Sequence, residues 1–387
     1  MGYKHYYFRY AALLLLTIFA LGQFILILRH KSPYLSDSYF YKHMYYQYDG
    51  ISFENAQSLI QNEVDVQSSD EITANIFMKD DLYKNSYEFF KKRPFYPMIS
   101  YAFLLLTNNN YLSLLLPNML AYMGSIYFVL FFFRQSFDDL FSYGGTFLFI
   151  AFYPYLDWST YFMTDTIGFF FWLLVLYCSY RFVQTRIYTW LYSFGVMYAI
   201  SLTNREQGIF MVLLYALVWV LMRRNRFINS QIQNVKKLLL VIAAITMLYL
   251  IIAKLLGLKN LWDTIVYTQN SYGLHDVDRS FVEVLSYLGN TIVAFHLGLI
   301  RDLMSHHWWS FFTALGIVGI VQFLRSKKKT FIQILILASG IASYSSAFAY
   351  PVLSYRYFYP TVVMLIFFAC GYIHFFFSRR KSIVTPQ

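Results

Sequence analysis

The 387-residue sequence predicts an all-α polytopic membrane protein with about ten transmembrane helices, in a range of about nine to twelve. The chain is 58% hydrophobic and 22% aromatic but only 13% charged, whereas soluble domains are usually about 25% charged. So few charges cannot cover a water-facing surface, and so much apolar content excludes a disordered chain. The two cysteines, Cys178 and Cys370, lie inside apolar runs and indicate neither a disulfide framework nor a metal site.

Ten apolar runs set the predicted spans, because a helix needs about 20 apolar residues to cross a hydrocarbon core about 30 Å thick. The strong runs are 9–28, 112–133, 165–181, 237–256, 308–324, 331–349 and 357–377, and the shorter ones are 141–156, 188–203 and 208–222. The first run is too long for a signal peptide and lacks a cleavage motif, so we expect a retained anchor. Residues 97–107 would reach only about 16 Å as a helix, which predicts a half-helix or an interfacial helix.

The basic residues near helix ends set the predicted sidedness, because Lys and Arg favour cytoplasmic loops. The clearest cytoplasmic clusters are Arg223 to Lys237, Arg325 to Lys329 and Arg379 to Lys381, which place 29–111, 157–164, 204–207, 257–307 and 350–356 outside. This assignment puts a net charge of +15 inside and −4 outside, so the overall +11 is an orientation signal rather than a nucleic-acid patch. It requires 281–300 to lie outside, where Glu283, Asn290, His296 and Arg301 interrupt the apolar pattern.

We expect a single integral membrane domain over residues 1–387, with a first extracytoplasmic loop at 29–111 and a late one at 257–307. The first loop mixes polar and apolar residues at helical spacing between 55 and 87, which is typical of amphipathic helices on a membrane surface. Its many tyrosines fit an interfacial belt. We therefore predict juxtamembrane helices in this loop.

Nearly every acid falls on the predicted outer side, and ionisable residues at membrane depth are functional candidates because their burial is costly. The candidates are Asp37, Asp49, Glu54, Arg93, Asp157, Asp165, Arg205, Glu206 and Arg356. A carboxylate can act as general base towards an acceptor hydroxyl, and arginines can bind phosphate oxygens in a bidentate manner. Together they predict a cavity that is open to the outside and suited to a phosphate-containing lipid.

Four short motifs occur in order along this outer side: Ser36-Asp37-Ser38-Tyr39, Arg93-Pro94-Phe95-Tyr96-Pro97, Thr164-Asp165, and Arg356-Tyr357 followed by Pro360. In their order and placement they resemble the GT-C superfamily of polyprenyl-phosphate-sugar glycosyltransferases, in its mannosyltransferase and aminoarabinose-transferase-like branch. The resemblance covers most of the chain by layout. The sequence departs from the family where paired acids are frequent, because Ser38 follows Asp37, and no soluble C-terminal sugar-binding domain is evident.

The resemblance implies an outward-facing enzyme in the cytoplasmic membrane of a bacterium or archaeon. It would move a sugar from a polyprenyl-phosphate-linked donor to a glycan, lipid or protein acceptor, with Asp37 as the catalytic base. Arg356 and Arg205 would bind the lipid phosphate, and Asp165 would shape the pocket. The other expected substrate-binding residues are Tyr357, Glu206, Arg93 and the acids Asp49 and Glu54, either of which could supply the second acid.

Cofactor use and two alternative functions stay open at this point. The sequence establishes no cofactor, and we expect at most a weak dependence of the activity on a divalent cation. For such a cation, His275, Asp276 and Asp278 are better candidates than His306-His307. One alternative is a polymerase or ligase of the O-antigen type, but its major outer loop would come late in the chain. The other is a lipid-linked sugar flippase or transporter, which tends to show repeat symmetry and midplane charges; neither is evident here.

Overall fold

A computed structural model describes residues 2–64, 71–223, 231–270, 279–349 and 354–384. The regular secondary structure of the described residues is all helical, with no strand among them. Two 3₁₀ helices, Glu206–Phe210 and Tyr355–Tyr357, join 18 α-helices: α1 (Gly2–His30), α2 (Ser36–Tyr48), α3 (Phe53–Glu63), α4 (Glu71–Met78), α5 (Asp80–Phe90), α6 (Phe95–Thr107), α7 (Asn110–Arg134), α8 (Asp139–Ile150), α9 (Tyr153–Ser159), α10 (Asp165–Thr185), α11 (Tyr188–Asn204), α12 (Met211–Arg223), α13 (Ile232–Leu255), α14 (Leu261–Gln269), α15 (Phe281–Ser305), α16 (His307–Arg325), α17 (Phe331–Ala349) and α18 (Tyr359–Val384).

Eight helices of the described chain are long and apolar enough to cross a membrane. Seven of them, α1, α7, α10, α12 with its preceding 3₁₀ turn, α13, α16 and α18, coincide with predicted spans. The other three predicted spans correspond to α8, α11 and α17. The prediction of an all-α polytopic membrane protein is therefore confirmed.

The predicted span 141–156 is wrong as one helix, because the chain ends α8 at Ile150 and begins α9 at Tyr153. Pro154 lies in the first turn of α9, where its missing N–H is not needed, and it favours the start of a new helix over the continuation of α8. The break places Asp157 and Trp158 on a separate short helix. It thereby builds a short helix next to the N-terminus of α10.

The stretch 281–300, which the sequence places outside, belongs to α15, a helix that runs unbroken for 25 residues and is the eighth candidate span by length and composition. Glu283, Asn290 and Arg301 are exposed. Their spacings of seven and eleven residues place them within about 20° of one another around a helix, so they mark one polar face rather than breaks.

Helix ends contact one another at two opposite ends of the bundle. At one end Arg9 pairs with Asp139 at 2.8 Å, and Lys237 donates to Tyr188 at 2.7 Å. At the other end, which we call the cavity end, Lys31 pairs with Asp157 at 2.7 Å. The first long loop, with α2 to α6, lies at this cavity end.

Helix α6 stays beside α2 at the cavity end. Tyr96 at its start packs against Tyr41, Tyr101 in its middle packs against Tyr48, and Asn110 just after it accepts a hydrogen bond from Tyr45 at 2.8 Å. Asn108, with φ of 48°, ends α6 in a left-handed turn that reverses the chain into α7. These contacts support the interpretation of 97–107 as an interfacial helix.

Candidate functional site

A cavity of about 440 Å³ opens at the cavity end of the bundle. It brings together Asp37, Arg93, Asp165, Arg205, Arg356 and Tyr357, which are six of the nine site residues predicted from the sequence. Three arginines against two aspartates leave its described lining with one net positive charge. A cavity with this balance suits an anionic ligand.

Asp37 reaches the cavity from the first turn of α2, and Tyr41 lies one turn later on the same face. The phenol of Tyr41 accepts a hydrogen bond from Arg93 at 3.1 Å and lies 3.2 Å from the hydroxyl of Thr164. This chain of contacts ties α2 to the segment before α6 and to the start of α10. The carboxylate of Asp37 keeps 30% of its side-chain surface exposed and is therefore open to a ligand.

Asp165 is the first residue of α10, where the helix dipole favours a negative charge, and its side chain is only 2% exposed. It pairs directly with Arg205, and its carboxylate also lies 3.9 Å from the Nε of Arg356. Gly168 lies one turn further along α10, where a Cβ would come within 3.3 Å of the Asn204 side chain and 3.4 Å of the Arg205 side chain. Its lack of a side chain lets Arg205 lie close to the start of α10.

Arg356 belongs to the 3₁₀ turn that precedes α18, and its guanidinium lies 3.4 Å from the carboxylate of Asp37. The guanidinium also lies 4.5 Å from the ring centre of Trp158 and 5.0 Å from that of Tyr357, distances typical of cation–π contacts. Burial lowers the pKa of Arg356, but its interactions with Tyr357, Asp165 and Asp37 outweigh that effect, so the net pKa is raised and the group stays charged.

The backbone of this 3₁₀ turn is fixed by three side chains. The carbonyl of Tyr357 accepts hydrogen bonds from Ser343 at 3.3 Å, from Ser346 at 3.2 Å and from Gln207. Gln207 also donates to the hydroxyl of Ser346 at 2.6 Å. Arg356, in the 3₁₀ turn before α18, is therefore held against α17 and against the segment that carries Arg205.

The remaining three predicted site residues lie away from the described lining of this cavity. Asp49 caps the C-terminal end of α2, and Glu54 lies in the first turn of α3; both are exposed. Glu206 pairs with Lys92 at 2.8 Å and lines a second cavity of about 470 Å³. His275, Asp276 and Asp278 lie outside the described residues.

The structure adds cavity residues that the sequence interpretation did not single out. Trp158 lay within the Pro154-containing turn, and only its packing on Arg356 distinguishes it from other aromatic residues. Further lining comes from the hydroxyl-bearing side chains of α14 and α15, which are Thr264, Tyr267, Thr268 and Tyr287. Among the described residues, no group of three or more His, Cys, Asp or Glu side chains is placed to hold a metal ion.

Residues 91–258 match the family described as dolichyl-phosphate-mannose-protein mannosyltransferase. The match includes Arg93, Asp165 and Arg205, whereas Asp37 and Arg356 lie outside it. It confirms the resemblance to the GT-C superfamily, and the protein is a membrane glycosyltransferase of the GT-C type. No protein with a curated description matches the chain.

Proposed function

We propose that the protein transfers a sugar from a polyprenyl-phosphate-linked donor to an acceptor at the extracytoplasmic face, with Asp37 as general base. The observation that carries this proposal is the convergence of Asp37, Asp165, Arg205 and Arg356 on one cavity at one end of the bundle. The description of the matched family makes mannose the first sugar to test. The acceptor class, whether glycan, lipid or protein, is left open.

The arginines are suited to the phosphate of the donor. A guanidinium presents parallel N–H donors that match two phosphate oxygens, and Arg205 and Arg356 already share the carboxylate of Asp165. A bound phosphate would replace Asp37 as a partner of Arg356, since the 3.4 Å contact between them is long for a charge-assisted hydrogen bond. The exchange would free Asp37 for catalysis.

Asp37 would then take the proton of the acceptor hydroxyl. The acceptor oxygen forms a bond with the anomeric carbon while the bond between that carbon and the phosphate oxygen breaks, and its electron pair leaves with the phosphate. Arg356 and Arg205 would stabilise the charge that develops on the leaving phosphate. The hydroxyl groups of Thr264, Thr268 and Tyr287 line the same cavity and would contact the acceptor.

The position of the charges favours this enzyme over a transporter. Transporters usually place their charged groups near the bilayer midplane in broken helices. Here the cavity charges lie at helix ends and in the turns between helices, at Arg205 after α11 and Arg356 before α18. A lipid-linked sugar flippase would also leave the glycosidic bond intact, so the assay below separates the two.

The test is sugar transfer by the purified protein in detergent or nanodiscs, supplied with polyprenyl-phosphate-linked mannose and then with other sugars. Asp37→Asn should lower the rate by about 100-fold or more, because general base catalysis contributes about 10²–10⁴-fold. Binding of farnesyl phosphate should persist in this variant. Asp81→Asn is the matched control, since Asp81 is an exposed acid in the first turn of α5, and it should keep the wild-type rate.

Two results would contradict the proposal. Transfer by Asp37→Asn at the wild-type rate would remove the base role of Asp37. Absence of transfer and of sugar release with every polyprenyl-phosphate donor, in a wild-type protein that moves these lipids across a bilayer, would identify a flippase instead.

A further inference from the structure

A buried ion pair lies directly behind the wall of the cavity. The ammonium of Lys92 lies 2.8 Å from a carboxylate oxygen of Glu206, and the two side chains are 1% and 11% exposed. Lys92 lines neither of the two cavities described above, and Glu206 lines only the second. The pair is thus placed in the partition between them.

Each member of the pair is next in sequence to a cavity arginine. Lys92 precedes Arg93, and Glu206 follows Arg205. Arg205 has an extended backbone, with φ of −159° and ψ of 125°, and such a backbone turns successive side chains to opposite sides. Arg205 therefore faces Asp165 while Glu206 faces Lys92.

The ammonium of Lys92 also fixes a third segment of the cavity wall. It donates a hydrogen bond to the carbonyl oxygen of Lys259 at 3.0 Å and one to the hydroxyl of Thr264 at 3.3 Å. Thr264 belongs to α14, which contributes further lining residues to the cavity. One charged group therefore holds the segments around Arg93, Arg205 and α14 in a common arrangement.

The energetics favour a positioning role over a stabilising one. Burial lowers the pKa of Lys92, and the nearby Glu206 carboxylate opposes that shift. A buried ion pair often contributes little net stability compared with a packed apolar pair, although removal of one partner is costly. The geometry that the pair imposes is then its main effect.

We propose that Lys92 and Glu206 are positioning residues that orient Arg93 and Arg205 towards the phosphate of the donor. The inference rests on the proposed function, because it assigns the pair to the site that would bind that phosphate. It gives Glu206 a role behind the cavity wall rather than in direct contact with the substrate.

The main test is the double variant Lys92→Met/Glu206→Leu, which removes both charges of this ion pair together. We expect its melting temperature to stay close to that of the wild type. Its affinity for farnesyl phosphate should fall at least about tenfold, because small displacements of phosphate-binding groups are costly. The KM for the donor should rise by a similar factor, with kcat changed less than KM.

A charge-swapped variant, Lys92→Glu/Glu206→Lys, keeps an ion pair at the same place and should recover part of the lost affinity. Removal of a different ion pair controls for general effects: Arg9→Met/Asp139→Leu, at the opposite end of the bundle, should leave farnesyl phosphate affinity unchanged. If the double variant does not fold, Glu206→Gln is measured in the same way. The glutamine amide can still accept a hydrogen bond from Lys92, so this variant is expected to fold. The KM of Glu206→Gln for the donor should rise by a smaller factor.

The positioning role would be overturned if the folded double variant kept the wild-type affinity for farnesyl phosphate and the wild-type KM for the donor. If the double variant does not fold, the same result in folded Glu206→Gln would overturn it. A loss confined to kcat would overturn it as well. A wild-type protein that neither binds farnesyl phosphate nor transfers sugar would instead contradict the proposed function itself. The two failures are therefore distinguishable.

Discussion

At the scale of single residues, the cavity is organised around Asp165 and Tyr357. Asp165 is buried and contacts two guanidinium groups, and the ring of Tyr357 lies within 5.0 Å of both, at 4.9 Å from that of Arg205 and 5.0 Å from that of Arg356. Such contacts fix the planes of the two arginines before any ligand binds. Pre-organisation of this kind lowers the cost of phosphate binding.

Removal of the Asp165 charge should destabilise the protein. In Asp165→Asn the Arg205 guanidinium, whose side chain is 10% exposed, loses its charged partner, and breaking a buried pair in this way costs about 3–5 kcal/mol. Asp37→Asn is the comparison, because the Asp37 side chain is 30% exposed and its loss should cost far less. Thermal unfolding in detergent measures both, and equal melting temperatures would show that Asp165 is not a structural counter-ion.

Replacement of Arg356 by lysine should weaken donor binding while the charge is retained. A lysine ammonium offers a point charge without the planar fork of arginine, so we expect the KM for the donor to rise by about tenfold or more. Arg186→Lys, at an exposed helix end, should leave the KM unchanged. A wild-type KM for Arg356→Lys would mean that Arg356 does not bind the phosphate through bidentate hydrogen bonds.

The sequence was informative about the charged residues of the cavity because the chain has few charges and several of those on the predicted outer side lie at helix ends. It could not separate Asp37 from Asp49, which follows it by twelve residues and so lies about 18 Å further along α2. Lys92 and Trp158 were also missed, since their roles depend on contacts with Glu206 and Arg356 that lie far away in the sequence. Tertiary contacts of this kind leave no local pattern.

At the scale of helices, glycine permits the close approach of α16 and α18. A Cβ on Gly316 would lie 2.6 Å from the carbonyl oxygen of Leu365, and one on Gly319 would lie 2.1 Å from that of Phe368. Both neighbours are backbone atoms of α18, which cannot move aside as a side chain can. Small residues at a helix crossing are typical of membrane proteins.

Gly319→Ala should therefore destabilise the bundle. Overpacking against backbone costs about 1–3 kcal/mol, whereas alanine would otherwise favour a helix by about 0.5–1 kcal/mol. Gly144→Ala in α8 is the matched control, because a Cβ there meets no atom within 4 Å. We expect Gly319→Ala to lower the melting temperature in detergent and Gly144→Ala to raise it slightly. An unchanged melting temperature for Gly319→Ala would mean that the two helices separate at little cost.

A buried histidine makes the helices of the first loop sensitive to acid. His43 on α2 is fully buried, its Nδ1 lies 2.7 Å from the hydroxyl of Tyr83 on α5, and its ring packs on Phe53 of α3. Burial lowers the pKa of His43 to about 4, so it stays neutral in the folded protein at pH 5 to 6.

Stability should accordingly fall as the pH drops from about 6.5 towards 4. In that window the unfolded chain binds a proton at His43 that the folded chain does not, which costs at most about 1.4 kcal/mol per pH unit. His43→Gln should flatten the dependence of the melting temperature on pH in this range. The same slope in both proteins would assign the acid sensitivity to other groups.

At the scale of the whole molecule, charged side chains meet at both ends of the bundle. Arg9, Arg134 and Asp139 cluster at one end, and the cavity charges lie at the other. The ends of α15 belong to the cavity end, because Tyr287 lines the cavity and Asp302 accepts a hydrogen bond from Tyr355 beside Arg356. Length and composition alone make α15 a candidate span, whereas these contacts favour a helix that lies along the membrane surface.

Single cysteines should decide this topology, because Cys178 and Cys370 are buried and contribute little background. Impermeant maleimide applied to intact cells should label exposed sites at Glu54→Cys, Asn109→Cys, Glu283→Cys and Met304→Cys, and should reach Lys327→Cys only after permeabilisation. If Asn109→Cys, like Lys327→Cys, is labelled only after permeabilisation, α6 crosses the membrane. Opposite accessibility at Glu283→Cys and Met304→Cys would mean that α15 does. Protection of Glu54→Cys in intact cells would place the whole cavity end on the cytoplasmic side, because α2, which carries Asp37, ends only six residues before Glu54 and belongs to the same loop.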